Sequence, residues 1–259
     1  MRTTRERYVN NGEYVIERKD LHNEIIESFF NEHSQQEKEP EAILLGGGSA
    51  AGKSSIGELV SKGYKRKKKH MIWIDSDKIK EKIPEYQQLM ESGDTELIKQ
   101  AAFLVHDESS DITMELLKIC MKRKINFMYD GTMKNVEKYK KLIQQLRQAE
   151  FSINAIIVDV PIKVALERSI MRFKLTGRLV PEHIIEESHM KVATTFCKIK
   201  DLIDCYSLYD NTGQQPEIFA FKESKQAKEI IVDESRNNQF NEKSALVFLG
   251  NIHLINFIK

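Results

Sequence analysis

Ile43-Leu-Leu-Gly-Gly-Gly-Ser-Ala-Ala-Gly-Lys-Ser-Ser-Ile56 carries an apolar run into three glycines, then a lysine, two serines and a helical pattern. The run predicts a buried strand over about 42 to 46, and the pattern that follows predicts a helix to about Ser61. Gly47 to Ser54 fits G-x-x-x-x-G-K-[ST], the phosphate-cradling P-loop, in the strand-before, helix-after setting that motif requires. Glycines let backbone N–H groups turn inward around phosphate oxygens, and the helix N-terminus adds partial positive charge there. The candidate nucleotide contacts are therefore Gly47, Gly48, Ser49, Ala50, Ala51, Gly52, Lys53, Ser54 and Ser55. Lys53 reaches the outer phosphates, and the Ser54 hydroxyl is the candidate Mg2+ ligand.

Outward from this stretch, strand and helix signals alternate. Met71 to Ile74 reads as a second strand ending in Asp75-Ser76-Asp77, and Ile125 to Tyr129 as a third ending in Asp130-Gly131-Thr132. Ile153 to Val160 is largely apolar, as suits a parallel strand covered on both faces. Pro161 opens a helix to about Phe173, an irregular Leu175 to Pro181 follows, and Glu182 to Ile203 is helical. Cys205 to Tyr209 reads as a last strand, with Asp210 to Gly213 as its turn. Helical spacing also covers Leu97 to Met121, with a break near the polar Asp107 to Asp111, and Val136 to Ala149. The expected class is α/β: a P-loop NTPase-type, doubly wound, mostly parallel sheet flanked by helices. Residues 1–40 read as an N-terminal extension with a helix beginning after Asp20, 41–232 as the P-loop domain, and 233–259 as a C-terminal tail. In that tail the apolar Ala245 to Ile258, with Gly250 in its middle, suits a hairpin, a packed tail or part of a partner surface.

Among 259 residues, forty Lys and Arg oppose 39 Asp and Glu, so the net charge of +1 offers no global field toward nucleic acid or an anionic membrane. The basic run Lys62 to His70 lacks an aromatic platform beyond Tyr64 and reads as a solvated turn. Three scattered cysteines, in no metal-ligand or redox spacing, suit a reducing compartment. A charged N-terminus without an apolar segment behind it, and no long apolar run, lead to the expectation of a cytoplasmic protein with no membrane partner.

In α/β folds ligands gather beyond the carboxyl ends of the strands. Asp75 and Asp77, then Asp130 and Thr132, stand at two such ends, where a carboxylate accepts a proton from a hydroxyl or holds Mg2+ through water. Arg168, Arg172 and Arg178 follow strand four. Arg168 reads as a solvent-facing helix residue. Arg172 and Arg178 flank a Thr-Gly segment suited to a lid, where a cation stabilises a moving phosphoryl group.

Taken together, the P-loop, Trp73-Ile-Asp-Ser-Asp-Lys-Ile-Lys80, Met128-Tyr-Asp-Gly-Thr132, Leu166-Glu-Arg-Ser-Ile-Met-Arg-Phe173 and Thr176-Gly-Arg-Leu-Val-Pro181 resemble the zeta toxin family of P-loop kinases over roughly residues 40 to 215. The resemblance implies a small-molecule kinase using ATP or GTP with Mg2+, Lys53 and Ser54 on the nucleotide and metal, and Asp77 as general base. It places Arg172 and Arg178 on the transferring phosphate and Asp130 and Thr132 on the substrate, with Asp75 beside them. Best-known members phosphorylate UDP-N-acetylglucosamine, so a nucleotide sugar is the implied acceptor and a separate antitoxin the implied protein partner. Asp130 stands where those members commonly carry glutamate, and the Arg172 to Arg178 segment is shorter than theirs. Two other readings of the P-loop are a nucleotide-binding switch, which would need a base-reading Asn-Lys-x-Asp where the chain offers Asn241-Glu-Lys-Ser244, and a polynucleotide kinase resting on the Lys65 to Lys69 run.

Overall fold

A computed structural model describes residues 2–30, 35–176 and 180–248. In chain order the elements are α1 (Thr4–Tyr8), β1 (Val9–Asn10), β2 (Glu13–Tyr14), α2 (Ile16–Glu27), β3 (Glu41–Gly47), α3 (Lys53–Arg66), β4 (Ile72–Asp75), α4 (Ser76–Lys80), α5 (Pro84–Glu91), α6 (Thr95–Leu104), α7 (His106–Arg123) and β5 (Phe127–Asp130). They continue with α8 (Val136–Gln148), β6 (Ser152–Asp159), α9 (Ile162–Thr176), α10 (Glu182–Ile199), β7 (Cys205–Asp210), β8 (Glu217–Lys222), β9 (Ile230–Ile231) and α11 (Glu234–Phe248). The fold is α/β, its central sheet mostly parallel and flanked by helices. The chain divides into two compact units, one of residues 1–38 and 64–129, the other of 39–63 and 130–259.

In the second unit β3, β6, β7, β8 and β9 lie side by side in that order. β3 pairs parallel with β6 from Glu41↔Ser152 to Gly47↔Val158, and β6 pairs parallel with β7 from Asn154↔Cys205 to Asp159↔Asp210. Ala42, Leu44 and Leu45 of β3 and Ile153 and Ile157 of β6 are fully buried, which explains their largely apolar sequence. β8 and β9 continue the sheet antiparallel, so Cys205–Asp210 is not the final strand. α11 runs to Phe248, and the remainder of the apolar Ala245 to Ile258 lies outside the described residues.

The first unit holds β4, and β5 as far as Tyr129, with the Ile72 N–H donating to Asn126 O at 2.9 Å. The break expected within Leu97 to Met121 falls at Val105, earlier than the polar Asp107 to Asp111, because Asp107 and Glu108 open α7 instead of interrupting it. α2 begins at Ile16 rather than after Asp20, and α3 runs through Arg66, so the basic run is helical in its first half. Among the described residues no helix is long and apolar enough to cross a membrane.

α2 is fastened to the first unit by charge. Arg18 donates from Nε to Glu108 Oε1 at 2.5 Å and from Nη2 to Oε2 at 2.8 Å, and grips Glu85 at 3.0 and 2.8 Å. His22 Nε2 lies 2.6 Å from Glu108 Oε1. Burial pushes the Glu108 carboxyl up, but hydrogen bonds from His22 and Arg18 and the Arg18 charge outweigh it and hold the group at about 2. Arg18→Met strands this carboxylate without its cation and should cost about 3–5 kcal/mol in urea unfolding. Because the folded value lies below the ordinary 4.5, the stabilisation is present above about pH 4.5 and is lost as pH falls toward 2. Wild type should therefore lose stability across that window, and an Arg18→Met/Glu108→Gln pair should lose much less, as read by urea midpoints at each pH.

Candidate active site

The second unit carries the P-loop. Between β3 and α3 the chain turns through two left-handed residues, Ala50 at φ +59° and Gly52 at φ +90°. Alternating backbone signs of this kind aim successive N–H groups at one concave face, a nest for an anion. Gly52 needs its conformation and also its bareness, since a Cβ there would strike the Asn211 amide. Gly48 is constrained by approach alone: a Cβ would enter the His189 ring. Lys53 is half-buried at the start of α3, while Ser54 and Ser55 are exposed beside it.

The loop is gripped from the sheet side. Asn211 Nδ2 donates to Ala51 O at 2.9 Å, and the Ser49 N–H donates to Ser188 Oγ at 2.8 Å. His189 Nε2 lies 3.0 Å from Ser49 O; a carbonyl only accepts, so this ring nitrogen carries the proton. Behind the ring, its Nδ1 stands 3.5 Å from Asp159 Oδ1, an ion-pair separation. The ring is thus held by its Nε2–H on Ser49 O, with Nδ1 turned toward Asp159 at a separation longer than a hydrogen bond.

Asp159, at the end of β6, is buried and receives cations from α11. Lys243 Nζ donates to both carboxylate oxygens at 2.7 Å and to Val160 O at 2.9 Å. Arg236 Nη2 donates to Asp159 Oδ2 at 3.1 Å, and its Nε to Asp210 Oδ2 at 2.6 Å. Burial pushes the Asp159 carboxyl up; Lys243 and His189 outweigh that and hold it at about 2.

A cavity of about 420 Å³ opens at the first turns of α3, lined by Ser55, Ile56, Leu59, Arg168, Asn211 and Pro216 among others. Arg168 was expected to face solvent from its helix. Instead its Nη2 donates to Asn211 O at 2.7 Å and it walls this cavity. Arg172, one turn on, is exposed on α9, and Arg178 lies outside the described residues.

The loop after β5 joins the same unit. Asp130 is half-buried and Thr132 exposed. Met133 is buried, with its Sδ 2.8 Å from where a Cβ on Gly46 would stand, so this loop leans on β3 just before the P-loop. Lys134 was not singled out by sequence, being one more lysine in a polar turn. Burial lowers its ammonium and neighbouring Lys53 lowers it further, against Glu187, so two cations share this region. Asp75 and Asp77 belong to the other unit: Asp75 caps α4 by accepting from the Asp77 N–H at 2.9 Å, and the exposed Asp77 carboxylate accepts from buried Lys80 at 2.8 Å. The structure therefore groups the P-loop, Asp130, Thr132 and Arg172 in one unit and the Asp75–Asp77 pair in the other.

Comparison with known proteins places this arrangement. The chain is 24% identical over 137 residues to Toxin PezT of Streptococcus pneumoniae, covering 53% of this chain and 51% of that one. A structure from the PezAT toxin–antitoxin system of that organism superposes with a TM-score of 0.66 at 16% identity, covering 93% of this chain and 96% of the other. The Calmodulin calcium-dependent NAD kinase of Arabidopsis thaliana is 23% identical over 247 residues, 77% of this chain and 46% of that one. The AvrRxo1-ORF1:-ORF2 structure with ATP superposes at a TM-score of 0.67 and 14% identity, covering 94% and 83%. These superpositions speak to the fold alone. The chain spans about half the length of the curated relatives it matches. The zeta toxin profile matches residues 26–220, most of the chain, and the chain belongs to the zeta toxin family of P-loop kinases.

Proposed function

We propose that the protein transfers the γ-phosphoryl group of ATP or GTP to a hydroxyl of a small molecule that itself carries a nucleotide. The observation that supports this best is the cradle: a left-handed Ala50–Gly52 turn, braced at Ser49 O and Ala51 O, opening onto Lys53 at the head of α3, in a chain of a kinase family. The donor phosphates lie against the loop and its N–H groups, with Lys53 on the outer phosphates. The donor base takes the cavity beside α3, against Arg168. Ser54, exposed in the first turn of α3, fits a Mg2+ ligand shared with phosphate oxygens, and bound Mg2+ would neutralise charge on the transferring group. Asp77, an exposed carboxylate that accepts from Lys80, accepts the proton of the acceptor hydroxyl. Arg172 and Arg178 compensate charge on the moving phosphoryl group, and Asp75, Asp130 and Thr132 contact the acceptor.

Relatives support this acceptor class. Family resemblance favours a nucleotide sugar such as UDP-N-acetylglucosamine. Likeness along 77% of this chain to a protein named as an NAD kinase favours a dinucleotide, which shares the nucleotide portion. A protein partner in the manner of an antitoxin is supported by the toxin–antitoxin system from which the PezAT structure comes.

Incubation with γ-labelled ATP and Mg2+ against nucleotide sugars, NAD, nucleosides and nucleic-acid ends should yield one phosphorylated nucleotide-bearing product by mass spectrometry. Nucleotide turnover with no phosphorylated product anywhere in the panel would sink the kinase reading. Asp77→Asn, which keeps shape and removes the base, should slow transfer by about 10²–10⁴-fold with an unchanged melting temperature; full activity in that variant would remove Asp77 from the mechanism. Lys53→Ala should abolish transfer in the same assay, and turnover at the wild-type rate would displace the cradle as the donor site.

A further inference from the structure

α11 begins at Glu234, beyond the family-matched segment that ends at 220, yet it supplies both cations that neutralise the carboxylate under the P-loop. From Asp159 two arms reach the loop. One runs through His189, 3.5 Å from the carboxylate and 3.0 Å from Ser49 O. The other runs through the segment after β7: Arg236 bridges Asp159 and Asp210, the Asn211 N–H donates to Asp159 O at 3.0 Å, and the Asn211 amide donates to Ala51 O at 2.9 Å.

The arms end on carbonyls two residues apart, and that spacing has a geometric result. In a trans peptide the C=O and the N–H of the following residue point in opposite directions. Holding Ser49 O against His189 therefore aims the Ala50 N–H away from the sheet side, and holding Ala51 O against Asn211 does the same for the Gly52 N–H. The Ser49 N–H is spent on Ser188 Oγ, so it is these alternate amides that face a phosphate. A loosely held ring at His189 would leave Ser49 O, and with it the Ala50 peptide, free to rotate.

We propose that Asp159, His189, Lys243 and Arg236 form a positioning relay through which the C-terminal helix α11 sets the P-loop peptides for the donor phosphates. None of the four touches the reacting atoms. Lys243 fixes the carboxylate, the carboxylate stands behind the His189 ring, and the ring's Nε2–H holds Ser49 O. The relay rests on the nucleotide-binding reading above and adds to it two residues, Arg236 and Lys243, from outside the family-matched segment.

The test titrates the full chain with a non-hydrolysable ATP analogue and Mg2+ by calorimetry, and melts each variant without nucleotide. Lys243→Met should weaken binding about tenfold, and Lys243→Arg, which keeps a cation on Asp159, should recover most of it. The Asp159→Asn/Lys243→Met pair removes both buried charges, so it should melt near wild type while binding stays about tenfold weak. His189→Gln, leaving the ion pairs in place, should weaken binding to the same degree and add little to Lys243→Met. Those three results support the relay, and the separation of binding from melting is what a purely structural ion pair would not produce. A folded double variant, or a folded His189→Gln protein, that binds the analogue as tightly as wild type overturns it. If wild type itself binds no nucleotide, the kinase reading falls and the relay with it; wild-type binding matched by the variants removes the relay alone.

Discussion

A carboxylate buried at the end of a strand must be neutralised by the chain, because water cannot do it. Asp159 meets that demand with Lys243 and Arg236 from α11 and His189 from α10. The consequence extends past charge balance. β6 delivers Asp159 beside the last residues of β3 through the register Gly47↔Val158, so the neutralised cluster lies directly behind the turn that must receive phosphate. The glycines at 48 and 52 are then explained from behind as well as in front: each is bare because His189 or Asn211 occupies the space of its side chain. The P-loop is thus held on its hidden face by hydrogen bonds at Ser49 and Ala51, a preorganisation that would spare a bound phosphate the cost of ordering it.

The other unit uses the same physics for a different end. Arg18, between Glu108 and Glu85, ties an N-terminal helix of little amphipathic character to α7 and α5. A helix such as α2, with Ile25 and Ile26 buried but few other apolar anchors, gains its place from this bidentate pairing as much as from area. Here a fully buried glutamate, Glu108, is tolerated because both oxygens are accounted for. Asp77 differs: its carboxylate is exposed, and Lys80 donates to it at 2.8 Å.

The parts of the fold legible in the sequence were those whose signal is local. An apolar run into Gly-Gly-Gly and Gly-Lys-Ser states strand, turn and helix within fourteen residues, and the buried run of β6 reads as a covered strand because its inner residues are apolar on both faces. β8 and β9 were missed because β8 is exposed at both Glu217 and Ile218 and then buried at two residues in a row, giving no clean alternation, and β9 is only Ile230–Ile231. α11 was missed because its inward residues include charged ones: Lys243 is buried for its partner rather than for its apolarity, so a hydrophobic pattern does not show it. The relay is invisible to sequence for a related reason. His189 lies thirty residues after Asp159, and Lys243 over fifty after that, with no spacing rule linking them until β6, α10 and α11 are folded. Arg168 went unrecognised because a helix arginine looks the same whether it meets solvent or a carbonyl such as Asn211 O.

The most direct measurement of the central claim is a crystal structure of the chain with a non-hydrolysable ATP analogue and Mg2+. Phosphate oxygens bound by the Ala50 and Gly52 N–H groups and by Lys53, with His189 still on Ser49 O and Lys243 still on Asp159, is the predicted result. Phosphates seated away from this loop, or bound to it with His189 swung off Ser49 O, would contradict it.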